Sequence, residues 1–153
     1  MTTLKKGDKA PNFEALDQNG KTQALSNFAG KKLVLYFYPK DNTPGCTTQA
    51  CNLRDNDTLL QQHGISVIGV SPDSGSSHQK FTEKYQLNFP LLIDTEKSII
   101  QAYGVWGPKK FMGKSYDGIH RTTFIIGEDG NILEVIDKVD TKNHTQQILD
   151  LLK

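Results

Sequence analysis

Residues 33–38 (LVLYFY) form a nearly continuous apolar run that stops at Pro39. A short run of this kind, rich in aromatic and aliphatic residues, reads as a strand buried on both faces. It therefore demands a covering layer on each side of the sheet it joins. A polar turn follows, and Thr43-Pro44 then opens a helix. Threonine suits the N-cap position and proline the first helical position. Cys46 falls within the first turn, where unpaired backbone N–H groups and the positive end of the helix dipole favour a thiolate, the nucleophilic form of the side chain. The competing reading of the same position is a free cysteine packed as a small hydrophobe.

The second cysteine follows at Cys51, so the spacing is C-x4-C and not C-x-x-C. On a helix the two side chains stand roughly 140° apart, with Cα atoms roughly 8–9 Å apart. A disulfide needs about 7 Å or less, so any bond between them requires the first turn to unwind. Cys51 shares its face with Thr47, Thr48, Arg54, Asp55 and Thr58, a polar side. Ala50 and Leu53 share the face of Cys46 and read as core-facing. A purely structural cysteine belongs on the apolar face, so the placement of Cys51 favours a reactive pair.

The rest of the chain alternates strand and helix. Residues 13–17 and 22–25 flank Asn19-Gly20, a hairpin turn signal. A helix is expected over 44–62, ending near Gly64, then a strand over 65–71 ending at Pro72. A polar helix over 76–85, a short strand over 90–93 and a short helix over 97–103 follow. Residues 104–118 read as a long glycine-containing loop. A second hairpin is expected from 121–126 and 131–137 around Glu128-Asp129-Gly130. A capped amphipathic helix over 143–153, with Ile148, Leu149 and Leu152 inward, ends the chain. This order describes an α/β sheet with mixed strand directions in one domain spanning 1–153.

With 153 residues and a formal net charge of +1, composition gives no argument for nucleic acid or a membrane surface. Lys31-Lys32 and Lys109-Lys110 read as solvated loop ends. No apolar run approaches a membrane span, and the N-terminus lacks the hydrophobic stretch of a signal peptide. The chain reads as cytoplasmic, where thiols stay reduced and a disulfide points to catalysis.

Three segments resemble the peroxiredoxins, within them the bacterioferritin comigratory protein or Q-type branch. They are TPGCTTQACNLRDN with Pro39, Thr43 and Cys46 in a P-x3-T-x2-C pattern; GVWGPKKFMGKSYDGIHRTTFII, which contains Arg121; and the opening GDKAPNFEALDQNGK with the later GEDGNILEV. The resemblance spans nearly the whole chain. It implies a thioredoxin-like α/β fold with an N-terminal β-hairpin extension and a mixed central sheet flanked by helices. It also implies a thiol peroxidase that reduces hydrogen peroxide and organic hydroperoxides without a cofactor or a metal.

The residue types suit that chemistry. Stabilising a thiolate raises its population but lowers its intrinsic nucleophilicity, so a fast peroxidase must also stabilise the departing oxygen. The resemblance assigns this task to Arg121, with forked donors and a permanent charge, helped by the backbone N–H groups of Gly45 and Cys46. Thr43 would hydrogen-bond peroxide and thiolate, and Pro39 would shield the site. Thr43 as a simple N-cap, Pro39 as a strand end and Arg121 as a solvated strand residue are the plainer readings. Arg54 is an alternative cation, but it lies on the Cys51 side. By the same resemblance Cys46 becomes a sulfenic acid, Cys51 condenses with it, and thioredoxin reduces the resulting intramolecular disulfide in a monomer.

Other classes fit less well. A thioredoxin-type disulfide exchanger wants C-x-x-C. A cysteine hydrolase needs a histidine base, and His63, His78, His120 and His144 show no spacing signature. The cysteines and scattered histidines form no zinc pattern. A non-enzymatic redox sensor would use the same disulfide, but once per molecule. Trp106 reads as loop packing.

Overall fold

The computed structural model describes residues 2–152. The chain opens with a short antiparallel hairpin, β1 (Glu14–Leu16) and β2 (Thr22–Ala24), in which Leu16 pairs with Thr22. Gly20 takes φ +76° in its turn, and Asp17 Oδ1 accepts from the backbone N–H groups of Asn19 and Lys21. A bridge from Asp17 to Leu92 seats this hairpin beside the main sheet.

The central sheet holds β3 (Lys32–Phe37), β4 (Ile65–Ser71), β5 (Leu91–Ile93), β8 (Thr122–Ile126) and β9 (Ile132–Ile136) in the order β5-β4-β3-β8-β9. β3 runs parallel to β4, and β4 to β5, whereas β8 is antiparallel to both β3 and β9. The expected mixed sheet is present, with the apolar 33–38 run at its centre. Alternate residues feed two separate cores. Leu33, Leu35 and Phe37 pack with Tyr103, Phe124 and the short helix α4 (Ser98–Ala102). Val34, Tyr36 and Tyr38 pack on the opposite face with Cys46, Leu53, Phe81 and Ile148. The second core is roofed by α1 (Pro44–Asp55), α2 (Asp57–Gln62), α3 (Gly75–Tyr85) and α5 (His144–Leu151).

The structure corrects several expectations. The helix expected over 44–62 breaks at Asn56, whose φ −108° and ψ 16° leave helical geometry, and resumes as α2. The expected loop 104–118 is instead a hairpin, β6 (Trp106–Phe111) with β7 (Lys114–Ile119), paired to itself and outside the central sheet. Lys109 and Lys110 thus lie within a strand, with Lys109 Nζ donating to Ile119 O at 2.8 Å. Trp106 also belongs to that strand, packing against the first core with Lys97 Nζ 5.0 Å from its ring centre. The last helix is not capped by its own Asn143 side chain. Lys153, the final residue of the expected helix, lies outside the described residues. Among the described residues no helix is long and apolar enough to cross a membrane.

Candidate active site

The route from β3 to α1 places the first cysteine. β3 gives way to Tyr38 and half-buried Pro39, and Asn42 then turns the chain at φ 60°, a left-handed conformation that asparagine tolerates. Thr43 is extended at φ −94° and ψ 157°, and Pro44 occupies the first turn of α1 as expected. The hydroxyl of Thr43 does not cap the helix. It donates to Lys40 O at 2.9 Å and ties the turn to itself, while its carbonyl accepts from Thr47 N at 2.8 Å. The threonine N-cap expectation holds for the backbone and fails for the side chain.

Arg121 arrives from the other direction. β8 pairs antiparallel with β3 so that Thr122 lies opposite Phe37, which sets the preceding Arg121 beside the exit of β3. Its Nη2 donates to Cys46 Sγ at 3.3 Å and its Nη1 to Gln49 Oε1 at 2.7 Å. Residues far apart in sequence thus converge because two neighbouring strands end and begin at one edge. Gly45 completes the contact: a Cβ there would lie 3.2 Å from Arg121 Nη2. Arg54, the alternative cation, is paired with Asp55 and donates to Tyr85 O, away from the sulfur.

Gln49 is the participant that the sequence did not reveal. It is fully buried, accepts from the guanidinium, and leaves its own Nε2 without a partner. The available signal was a polar residue three positions after Cys46, on the face shared with Ala50 and Leu53. Because Gln49 is neutral, Arg121 keeps its charge for the sulfur and does not spend it on a carboxylate.

Cys46 is 1% exposed and packs within the second core; Cys51 is half-buried, and both are free thiols. Beneath them lies Tyr36, whose hydroxyl is buried without a partner. Burial, foremost, and then Cys46 and Asp41 hold its phenol well above the ordinary tyrosine range, so it stays protonated. Burial, with Tyr36 and Asp41 next, does the same for Tyr38, whose hydroxyl donates to Asp41 Oδ1 at 2.6 Å.

Among the described residues no histidine hydrogen-bonds the sulfur. His63 faces Leu59 O, His78 faces Asp41 and Leu92 O, His120 faces Pro108 O, and His144 faces Thr123 and Gln147. A cysteine–histidine hydrolase pair is therefore not assembled. Among the described residues, ligand atoms of Asp41, Asp73 and His78 lie within 4.8 Å of one another. Hydrogen bonds already engage them: Asp41 Oδ2 accepts from Ser77, Asp73 Oδ2 accepts from Ser71 and from Asp41 N, and both ring nitrogens of His78 are bonded. The arrangement at Cys46 can do one thing well: hold a sulfur anion against a fixed cation and stabilise charge growing beside it.

Known proteins resemble this chain in sequence and in fold. The AhpC/TSA family matches residues 6–135. Peroxiredoxin Bcp of Escherichia coli (strain K12) is 48% identical over 153 residues, covering 100% of this chain and 98% of that protein. Peroxiredoxin Bcp of Bacillus subtilis (strain 168) is 46% identical over 151 residues, covering 99% and 96%. Among solved structures, a cysteine-to-serine variant of Xylella fastidiosa PrxQ superposes with TM-score 0.92 at 32% identity, covering 99% of this chain and 97% of that one. Peroxidoxin BcpB of Mycobacterium tuberculosis gives 0.85 at 34% identity, covering 97% and 96%.

Proposed function

The chain belongs to the AhpC/TSA family and is a peroxiredoxin, a thiol peroxidase acting on hydroperoxides with a thiol as reductant, and from that premise we propose that Cys46 is its nucleophile and Cys51 its resolving cysteine. The observation that carries this reading is the 3.3 Å contact between Arg121 Nη2 and Cys46 Sγ.

In the proposed reaction the Cys46 thiolate attacks the terminal oxygen of the hydroperoxide. An S–O bond forms, the O–O bond breaks, and its electron pair leaves on the other oxygen. That oxygen takes a proton and departs as water or an alcohol, and the sulfur is left as a sulfenic acid. Arg121 stabilises the charge growing on the departing oxygen, and the backbone N–H groups of Gly45 and Cys46 add to it. Thr43, tied to Lys40, shapes the turn over the sulfur, and Pro39 shields its entrance. With Cys46 1% exposed, peroxide enters when this turn shifts.

The sulfur of Cys51 then displaces hydroxide from the sulfenic acid. An S–S bond forms, the S–O bond breaks, and the hydroxide leaves with the thiol proton as water. Both cysteines lie on one helix, so closure requires α1 to unwind locally. Unwinding would present the disulfide to an external dithiol such as thioredoxin, which returns two electrons and two protons. An intramolecular pair needs no second chain, so a monomer suffices, and a cytoplasmic setting would keep the reductant supplied.

The test is turnover with thioredoxin and its reductase, followed by NADPH consumption against hydrogen peroxide and an organic hydroperoxide. Wild type should cycle, Cys46→Ser should not, and Cys51→Ser should complete one turnover and then over-oxidise at Cys46. Peroxide reduction by Cys46→Ser at the wild-type rate would sink the assignment.

A further inference from the structure

The helix that must open is held unevenly. On its N-terminal side, the buried Asp41 carboxylate accepts from Tyr38 Oη at 2.6 Å, Ser77 Oγ at 2.8 Å and His78 Nδ1 at 2.7 Å. The Asp41 backbone N–H donates to Asp73 Oδ2 at 2.8 Å, and His78 Nε2 lies 2.8 Å from Leu92 O. The turn before α1 is thereby strapped to α3 and β5. On the other side, Asn52 Oδ1 accepts from Thr145 N at 2.8 Å and Asn52 Nδ2 donates to Lys142 O at 3.0 Å. Since Asn143 does not cap α5, Asn52 satisfies a first-turn amide of that helix from outside.

Between these two ties the segment is lightly held. The hydroxyls of Thr43 and Thr48 donate to the nearby carbonyls of Lys40 and Pro44. Among the described residues, the side-chain hydrogen bonds that tie 43–51 to another element all come from Arg121, which donates to Cys46 Sγ and Gln49 Oε1. Its buried side chains are Cys46, Gln49 and Ala50, none a large hydrophobe, whereas Leu53, the apolar anchor, lies beyond Asn52. Melting this stretch exposes little apolar surface, which places it at the low-stability end of the fold. Oxidation loosens it further, because a sulfenic acid lacks the negative charge that draws the guanidinium.

We propose that Asp41–His78 and Asn52–Thr145 are positioning pairs that fix the two ends of residues 43–51, so that only this segment melts when Cys46 and Cys51 join. The proposal rests on the Cys46–Cys51 pairing argued above. The balance of that step is unchanged; the pairs decide how far the unfolding spreads.

Hydrogen exchange with mass detection on the reduced and peroxide-oxidised full chain tests it. Wild type should lose protection across 43–51 and keep it over 53–62, 75–85 and 144–151. Asn52→Ala should let the loss spread into 53–55 and 144–151, and should slow disulfide closure relative to Cys46 oxidation. Asn52→Asp retains the acceptor for Thr145 N while losing the donor to Lys142 O, and should restore part of the confinement that Asn52→Ala loses, a rescue that general destabilisation would not give. Asp41→Ala should spread the loss into 38–41 and 75–85. Wild-type loss reaching 53–62 or 144–151, with the disulfide present by mass, would overturn this proposal alone. Absence of the disulfide would overturn the pairing as well. If a variant does not fold, the wild-type comparison still decides.

Discussion

Arg121 and Gln49 are joined by a 2.7 Å hydrogen bond in which a neutral amide, not a carboxylate, orients the guanidinium facing Cys46. A carboxylate in that place would hold the arginine as firmly and would also absorb its charge. The amide fixes direction and leaves the field on the sulfur, while its own buried Nε2 goes unpartnered at a cost of about 1–3 kcal/mol.

Replacing Arg121 tests the cation directly. Arg121→Ala should lower the second-order rate of peroxide reduction by about 10²–10³-fold, the usual effect of losing one fixed donor at a developing charge. Arg121→Lys should recover only part of it, because an ammonium cannot bond Gln49 and face the sulfur through one planar fork. Stopped-flow measurement with hydrogen peroxide decides; a rate within about twofold of wild type in Arg121→Ala would remove the arginine from the mechanism.

Gln49→Glu probes the charge, not the orientation. The new carboxylate would compete with the sulfur for the guanidinium, so peroxide reduction at neutral pH should slow. An unchanged rate would show that Gln49 serves packing alone.

Gly45→Ala asks how closely the guanidinium must approach. The added Cβ would stand 3.2 Å from Nη2, so Arg121 must retreat by some tenths of an ångström. Positioning of reacting groups is steep with distance, and a loss of about tenfold in peroxide rate is expected with little change in thermal stability. Full activity would mean that the arginine has freedom to spare.

His144 predicts a pH dependence of stability. Burial, foremost, lowers its pKa below the ordinary 6.5, with Arg121 acting in the same direction against its hydrogen bond to Gln147 and the charge of Asp140. Between the folded and unfolded values the unfolded chain binds the extra proton, so stability rises with pH there. The contribution is complete above the unfolded value and is lost as pH falls from about 6.5 toward the folded value. Melting temperature should therefore drop on acidification through this range, and His144→Gln should flatten the slope. An equal slope in both proteins would count against the buried neutral imidazole.

Much of the fold was legible because its signals are local. The 33–38 run and the Thr43-Pro44 start each depend on a few adjacent residues; the strand is present but runs Lys32–Phe37, ending before Tyr38, and the helix does begin at Pro44. The β6–β7 hairpin was not legible: Lys109, Lys110, Ser115 and Asp117 give it no apolar alternation, and Pro108 sits inside it. It buries little, so hydrophobic patterning had nothing to record. Cys46 could be found from sequence because helix starts are local. Arg121 required the resemblance, since its place depends on strand pairing. Gln49, Asp41 and His78 went unread because each takes meaning only from a tertiary partner, and a buried polar side chain looks like any other until that partner is known.

The Thr122–Phe37 register carries a consequence for how such a centre tolerates change. Side chains alternate faces along a strand, so a slip of one residue in β8 would turn Arg121 to the far side of the sheet while leaving the architecture recognisable. Catalytic competence is thus inherited from main-chain alignment. Lengthening the exposed tip at Met112 and Gly113 should be harmless, whereas a single residue inserted between Arg121 and Thr122 should yield a well-folded but inert molecule.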